Sequence, residues 1–275
     1  MATRYDWGTI LAEATAIVGS YDTPVTLRQL FYRLVAAELL PNVQGAYKGL
    51  SSKTAEARRE GTFPDLSDRT RSIHQYQHWA SPQDALNDAA SCYRVDRTEG
   101  QKVSLYLGVE KATMVNQMQS WFGDLGVPIL ALSGYASQSY TDTTARHADA
   151  QDRPAVLLYA GDHDPSGEDI DRDFVARTGC FDIVERVALS SDQVAQYALP
   201  VAPGKTTDSR KASFIARHGE LVQVELEALA PDVLQGLFTD AIAQWLDTSA
   251  LNEVLTREAQ ERAALEALAD GWESQ

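Results

Sequence analysis

The residues from Val156 to Asp173 read VLLYAGDHDPSGEDIDRD. An apolar run ends at Gly161, and carboxylates follow at alternate positions, Asp162 and Asp164. Residues two apart on an extended segment point the same way, so these two acids can face one ligand. Paired hard oxygen donors at the end of a buried strand suit Mg²⁺ or Ca²⁺. A second apolar run, Val103 to Val109, ends in another acid, Glu110. Desolvating such carboxylates costs several kcal/mol unless a cation compensates, which makes a metal the economical explanation. Solvated helix-start acids, favoured by the helix dipole, account better for Glu168 and Asp169.

Asp162, Asp164, Ser166 and Gly167 also fit positions 1, 3, 5 and 6 of an EF-hand calcium loop. That reading fails on three counts. The twelfth position holds Asp173 where a bidentate Glu is expected, Pro165 sits at the fourth, and a β-rich run stands where a helix should.

Elements that would position these acids alternate along the chain. Val103 to Val109, Val127 to Leu132, Ala155 to Ala160 and Phe181 to Leu189 read as strands, and Ala112 to Phe122, Ser137 to Ala150 and Gly167 to Arg177 as helices. This order predicts an α/β fold with a mostly parallel sheet covered by helices. Ligands on such sheets sit beyond the carboxyl ends of the strands, where Glu110, Asp162 and Asp164 fall. Past Leu189 the pattern is less regular. It includes a Pro/Gly loop with Lys205, Arg210 and Lys211, then a helical tail from about Ala250 to Leu268 that is free to pack on its own domain or on a second subunit.

The N-terminal part is organised differently. Residues 5–20 and Leu27 to Leu39 have helical apolar periods, the second with Thr26 as N-cap, and a third helix is expected from about Ala46 to Arg59. The third carries Lys48, Lys53, Arg58 and Arg59, and a short mixed stretch, Thr62 to Ile73, follows as a possible wing. A winged helix-turn-helix and a plain three-helix bundle both fit this pattern. His74 and His78, four apart, have no third ligand nearby and read as surface or packing residues. Glu99-Gly100 marks a boundary, giving units 1–98 and 99–275.

Composition sets outer bounds. The chain has 275 residues, 44% hydrophobic and 23% charged, as in ordinary globular proteins. No run approaches the ~18 apolar residues of a membrane span, and the N-terminus lacks a signal-peptide core. Two cysteines without metal-site spacing point to reduced thiols and a cytoplasmic protein. The net charge of −15 argues against a generally basic nucleic-acid coat. Residues 1–100 are nearly balanced, with 11 Lys and Arg against 12 Asp and Glu. The stretch Arg28 to Arg71 is locally basic, with eight against five.

A strand ending in Glu (LYLGVEK) and, two strands on, one ending in D-x-D (YAGDHDPSG) resemble a Toprim domain. The fuller pattern GVEK, LSGYAS and YAGDHDPSGEDI is similar to the A subunit of type IIB DNA topoisomerases and to the related meiotic double-strand-break transesterase. The resemblance implies a Rossmann-like Toprim domain with Mg²⁺ on Glu110, Asp162 and Asp164, preceded by a winged-helix domain that bears a nucleophilic tyrosine. TLRQLFYRL supplies Arg28, Phe31 and Tyr32 for that tyrosine motif. On a helical wheel Tyr32 lies about 130° from the centre of the apolar stripe, with Arg28 one turn earlier on the same side. Tyr32 is therefore expected to reach out of the core towards DNA.

The resemblance further implies Tyr32 attack on a phosphodiester of double-stranded DNA, with Arg28 to hold the phosphate or stabilise the phenolate. It implies a homodimer in which the tyrosine of one subunit works with the acids of the other, and a separate ATPase B-type subunit for strand passage. The chain is shorter than usual A subunits and has no ATPase region. A metal-dependent nuclease that activates water, or a non-catalytic DNA-binding module, is the alternative.

Overall fold

A computed structural model of the chain describes residues 5–21, 24–67, 76–134, 136–204 and 207–272. His74, Lys205, Tyr135 and the last six residues of the expected wing, 68–73, lie outside the described residues.

Three helices, α1 (Trp7–Gly19), α2 (Leu27–Ala36) and α3 (Gln44–Arg59), open the chain. Thr26 caps α2 in a reciprocal box with Gln29, as its position predicts. The helix stops three residues earlier than expected, because Glu38 takes a left-handed conformation at φ 58° and the chain turns back under Leu34. Ile10, Ala14, Leu30, Leu34, Leu50 and Phe63 form the buried centre of this unit. Of the expected wing, the described part, 62–67, makes an isolated parallel bridge, Ser67 to Thr26.

Residues 76–100, where the sequence pattern suggested no helix, contain α4 (Pro82–Cys92), which has a Ser81 N-cap and proline in its first turn. The α/β body follows as β1 (Ser104–Val109), α5 (Ala112–Phe122), β2 (Ile129–Ala131), α6 (Gln138–Asp149), β3 (Ala155–Ala160), α7 (Gly167–Thr178) and β4 (Ile183–Ala188). All pairings are parallel, in the order β2-β1-β3-β4. Strands β1 and β3 are buried along their whole length, which explains why both read as unbroken apolar runs. Leu105, Leu107, Val156 and Leu158 point into one core, and Tyr106, Leu157 and Tyr159 into the core on the opposite face.

Beyond β4 come α8 (Ser191–Gln196), β5 (Ala202–Pro203), α9 (Lys211–His218), β6 (Val222–Gln223), a 3-10 turn at Leu226–Ala228, α10 (Pro231–Ala243) and α11 (Thr248–Gly271). The apolar side of α10 fills the first sheet core through Leu234 and Phe238. The helical tail, α11, packs on α4 of its own chain. Its buried Glu258 is gripped by Arg97, which donates from Nε at 3.0 Å and Nη2 at 2.6 Å. Among the described residues no helix is long and apolar enough to cross a membrane.

Candidate active site

The register Val109 to Ala160 sets the carboxyl ends of β1 and β3 side by side. Glu110 N–H then donates to Ala160 O at 3.0 Å, and Asp162 N–H donates to Glu110 Oε2 at 2.8 Å. Asp164 Oδ1 accepts from Gly167 N–H at 2.7 Å and so closes the turn into α7. A Cβ at Gly167 would fall 2.3 Å from the Asp162 carbonyl oxygen and 3.1 Å from Glu110 Oε2, so glycine is what lets α7 start this close to the acids. From β4, Arg186 donates to the carbonyls of Asp162 at 2.7 Å and Gly161 at 3.3 Å, holding the loop from behind.

The structure thus brings Glu110, Asp162 and Asp164 together at one sheet edge but does not aim them alike. Asp162 Oδ1 accepts from Leu226 N–H at 2.7 Å, and its Oδ2 lies 3.2 Å from Lys111 Nζ. Asp164 turns instead toward its own helix start. The alternation expected of an extended segment is lost because Pro165 and Ser166 begin a turn immediately after it.

Three site residues escaped the sequence reading. Lys111 reaches from the start of α5 to Asp162, Glu225 and Glu227; it is hydrogen-bonded to Glu225, and Glu227 Oε2 is 3.4 Å away. Burial works against the Lys111 charge, but the Asp162, Glu227 and Glu225 carboxylates outweigh it and hold the ammonium well above its ordinary range. Burial raises Asp162 well above the usual carboxylate range, with Lys111 opposing and Glu110 and Glu225 reinforcing. Glu110 is raised too, first by burial, against the Asp162 N–H and Lys111. Glu225 is pushed up by burial, yet Lys111 brings it below its ordinary value. A signal for the acids existed: Glu225 and Glu227 repeat the alternate spacing of Asp162 and Asp164 inside an apolar stretch.

Helix α2 docks on this edge. Arg33 Nη1 donates to Ala228 O at 3.1 Å, and Gln29 Nε2 to Gln117 Oε1 at 3.4 Å. Tyr32 consequently faces the α/β body, half-buried, instead of projecting clear of the core. Its ring centroid is 5.3 Å from Lys111 Nζ, and Arg28 Nη2 donates to its hydroxyl at 3.3 Å. Tyr32 and Glu225 both line a cavity of about 110 Å³. The tyrosine lies beside the acids of its own chain.

The donors fit a hard divalent ion. Among the described residues Glu110 Oε1 and Asp164 Oδ2 accept no hydrogen bond, and carboxylate oxygens keep lone pairs beyond the bonds they already make. The ammonium seated among Asp162, Glu225 and Glu227 marks positive charge as what this edge requires. Among the described residues, however, the group whose metal-ligating atoms all lie within 4.8 Å of one another is His163, Glu168 and His218. His78, expected from the sequence to be a surface or packing residue, is exposed, with Nδ1 3.4 Å from Tyr76 O. No protein-family model matches the chain, and no curated protein matches it.

Proposed function

We propose that this chain is a Mg²⁺-dependent DNA-cleaving enzyme of the type IIB topoisomerase A-subunit kind, acting on double-stranded DNA in the cytoplasm. On this reading 1–98 is a winged-helix DNA-binding domain and 99–275 a Toprim domain with a helical extension. One observation carries it: Tyr32 and Asp162, remote in sequence, flank the same ammonium, at 5.3 Å and 3.2 Å from Lys111 Nζ. This proximity is what a tyrosine nucleophile and metal-holding acids that act on one phosphate require.

In the reaction Tyr32 Oη loses its proton to solvent and bonds to a backbone phosphorus. The bond from phosphorus to the 3′-oxygen breaks, and that oxygen takes up a proton to become a free 3′-hydroxyl. The product is a phosphotyrosine linkage to the 5′ end, close in energy to the bond broken, so resealing reverses the step. Arg28 and Lys111 offset negative charge on the attacking oxygen and the phosphate. Held by Glu110, Asp162 and Asp164, Mg²⁺ would supply further positive charge to the phosphate and the leaving oxygen. Two copies, each cutting one strand, make the double-strand break, and strand passage calls for a separate ATPase B-type subunit. Exposed Lys48 and Arg59 on α3 offer phosphate contacts.

The half-burial of Tyr32 favours a second reading, in which the tyrosine is structural and the metal activates water for hydrolysis. Detergent-quenched cleavage of supercoiled plasmid in Mg²⁺ separates the two. Covalent protein on 5′ ends, lost in Tyr32→Phe, is expected; cleavage that survives Tyr32→Phe refutes transesterification. DNA binding without cleavage under any metal leaves only the binding module.

A further inference from the structure

We propose that His163, Glu168 and His218 bind a first-row transition-metal ion, Zn²⁺ foremost, at a site separate from Glu110, Asp162 and Asp164. The three ligands come from three elements. His163 leaves the loop after β3 and is fixed by a two-way backbone bridge with Val224, at 2.9 and 3.1 Å. Glu168 is the second residue of α7, and His218 the last of α9. His218 Nε2 stands 2.6 Å from Glu168 Oε1, and His163 Nδ1 stands 3.9 Å from the same oxygen.

Donor pairs at the bonding distances of a tetrahedral Zn²⁺ site are about 3.4 Å apart, so small side-chain rotations bring all three onto one ion. His163 also needs a partner for its inner nitrogen. His163 is 2% exposed, its ring packed on Phe214 at 5.2 Å and His218 at 4.8 Å. Its buried Nδ1 makes no hydrogen bond among the described residues, whereas Nε2 of His218 has Glu168 Oε1 at 2.6 Å. Burying such a group unsatisfied costs about 1–3 kcal/mol, and a cation shared with Glu168 and His218 removes that cost. Arg217 Nη2 lies 2.8 Å from Glu168 Oε2, which turns the other oxygen toward the histidines.

Two imidazoles and one carboxylate are the borderline donors that select Zn²⁺ and its neighbours over Mg²⁺. An open groove of about 390 Å³, lined by His163, His218, Ser191 and Glu220, gives the ion a way in and leaves room for a water as fourth ligand. Since His163 sits between Asp162 and Asp164, an ion here ties the D-x-D loop to α9 and α7.

The test is a Co²⁺ titration of the chelator-stripped full chain, followed by its visible d–d absorption and by displacement with Zn²⁺. Binding of one equivalent in a four-coordinate nitrogen and oxygen environment is expected. Losing a residue that merely orients a metal ligand weakens binding about 10- to 100-fold, so His218→Ala and Glu168→Gln are expected to weaken Zn²⁺ by at least about 100-fold. Glu110→Gln should leave both spectrum and affinity unchanged. Circular dichroism of the stripped variants shows that they fold, and His218, at the end of its helix, is the safer of the two. Absence of micromolar binding overturns the proposal, as does binding that His218→Ala spares. The outcome is independent of whether the protein cleaves DNA.

Discussion

Replacing Lys111 with methionine tests how the acidic edge is held together. The ammonium is 17% exposed, and around it Asp162 is 7%, Glu225 17% and Glu227 2% exposed, so the charges removed from one another's company are largely out of water. Breaking a buried ion pair by deleting one partner costs about 3–5 kcal/mol, because the remaining charge is left without compensation. Against a total stability of about 5–15 kcal/mol this is a large fraction. With a urea dependence near 3 kcal/mol/M, the unfolding midpoint should fall by about 1 to 1.7 M at neutral pH.

The pH dependence follows in sign. Without Lys111 the folded-state pKa of Asp162, already raised by burial, climbs further, and Glu225, which burial pushes up, loses the cation that holds it below its ordinary value. Groups shifted that way add stability below the unfolded pKa and lose it as pH rises through the folded one. The deficit against wild type should therefore be largest near neutrality and shrink toward about pH 5 and below. Mg²⁺ at about 100 times its Kd contributes about 2.7 kcal/mol, and it should raise the midpoint of Lys111→Met more than that of wild type, since it replaces the missing charge. Urea unfolding by fluorescence at the two pH values, with and without Mg²⁺, reads all three effects. An unchanged midpoint at neutral pH, or a deficit that persists in acid, refutes the reasoning.

Gly167→Ala should disturb the same edge from the other side: its Cβ meets the Asp162 carbonyl, a backbone atom that cannot swing away. A loss of about 1–3 kcal/mol and weakened Mg²⁺ binding are expected, measured by thermal melts and calorimetry. On α11, hydrogen bonding to Arg97, with burial opposing, depresses Glu258 from 4.5 to about 2. A depressed carboxylate stabilises above its unfolded pKa, so this contribution disappears as pH falls from about 4.5 through about 2. Glu258→Gln should flatten the acid limb of stability in that window, and an identical limb in both proteins would disprove the assignment.

Much of the scaffold is written locally. The cap at Thr26 depends on residues three apart, and the two apolar runs that become β1 and β3 announce full burial by lacking polar alternation. Helix α4 went unread, although its start signals, Ser81-Pro82 and Asp84, are local. Helix α10 was harder to read, because its apolar side faces the sheet core and blends with the irregular apolar segments on either side.

The sequence by itself determined that acids end two strands, since Glu110 and Asp162 each follow an apolar run that reads as a buried strand. Their contact was then a matter of register between β1 and β3. Tertiary structure alone decided the rest. It turned Asp162 onto Lys111 and Leu226, drew Glu225 and Glu227 into the same cluster, seated Tyr32 against that cluster through the docking of α2, and gathered His163, Glu168 and His218 from three elements. The physical reason is common to all four. Each depends on where a buried charge or polar atom finds a partner, and the partners come from segments whose separation in the chain carries no information about their distance in space.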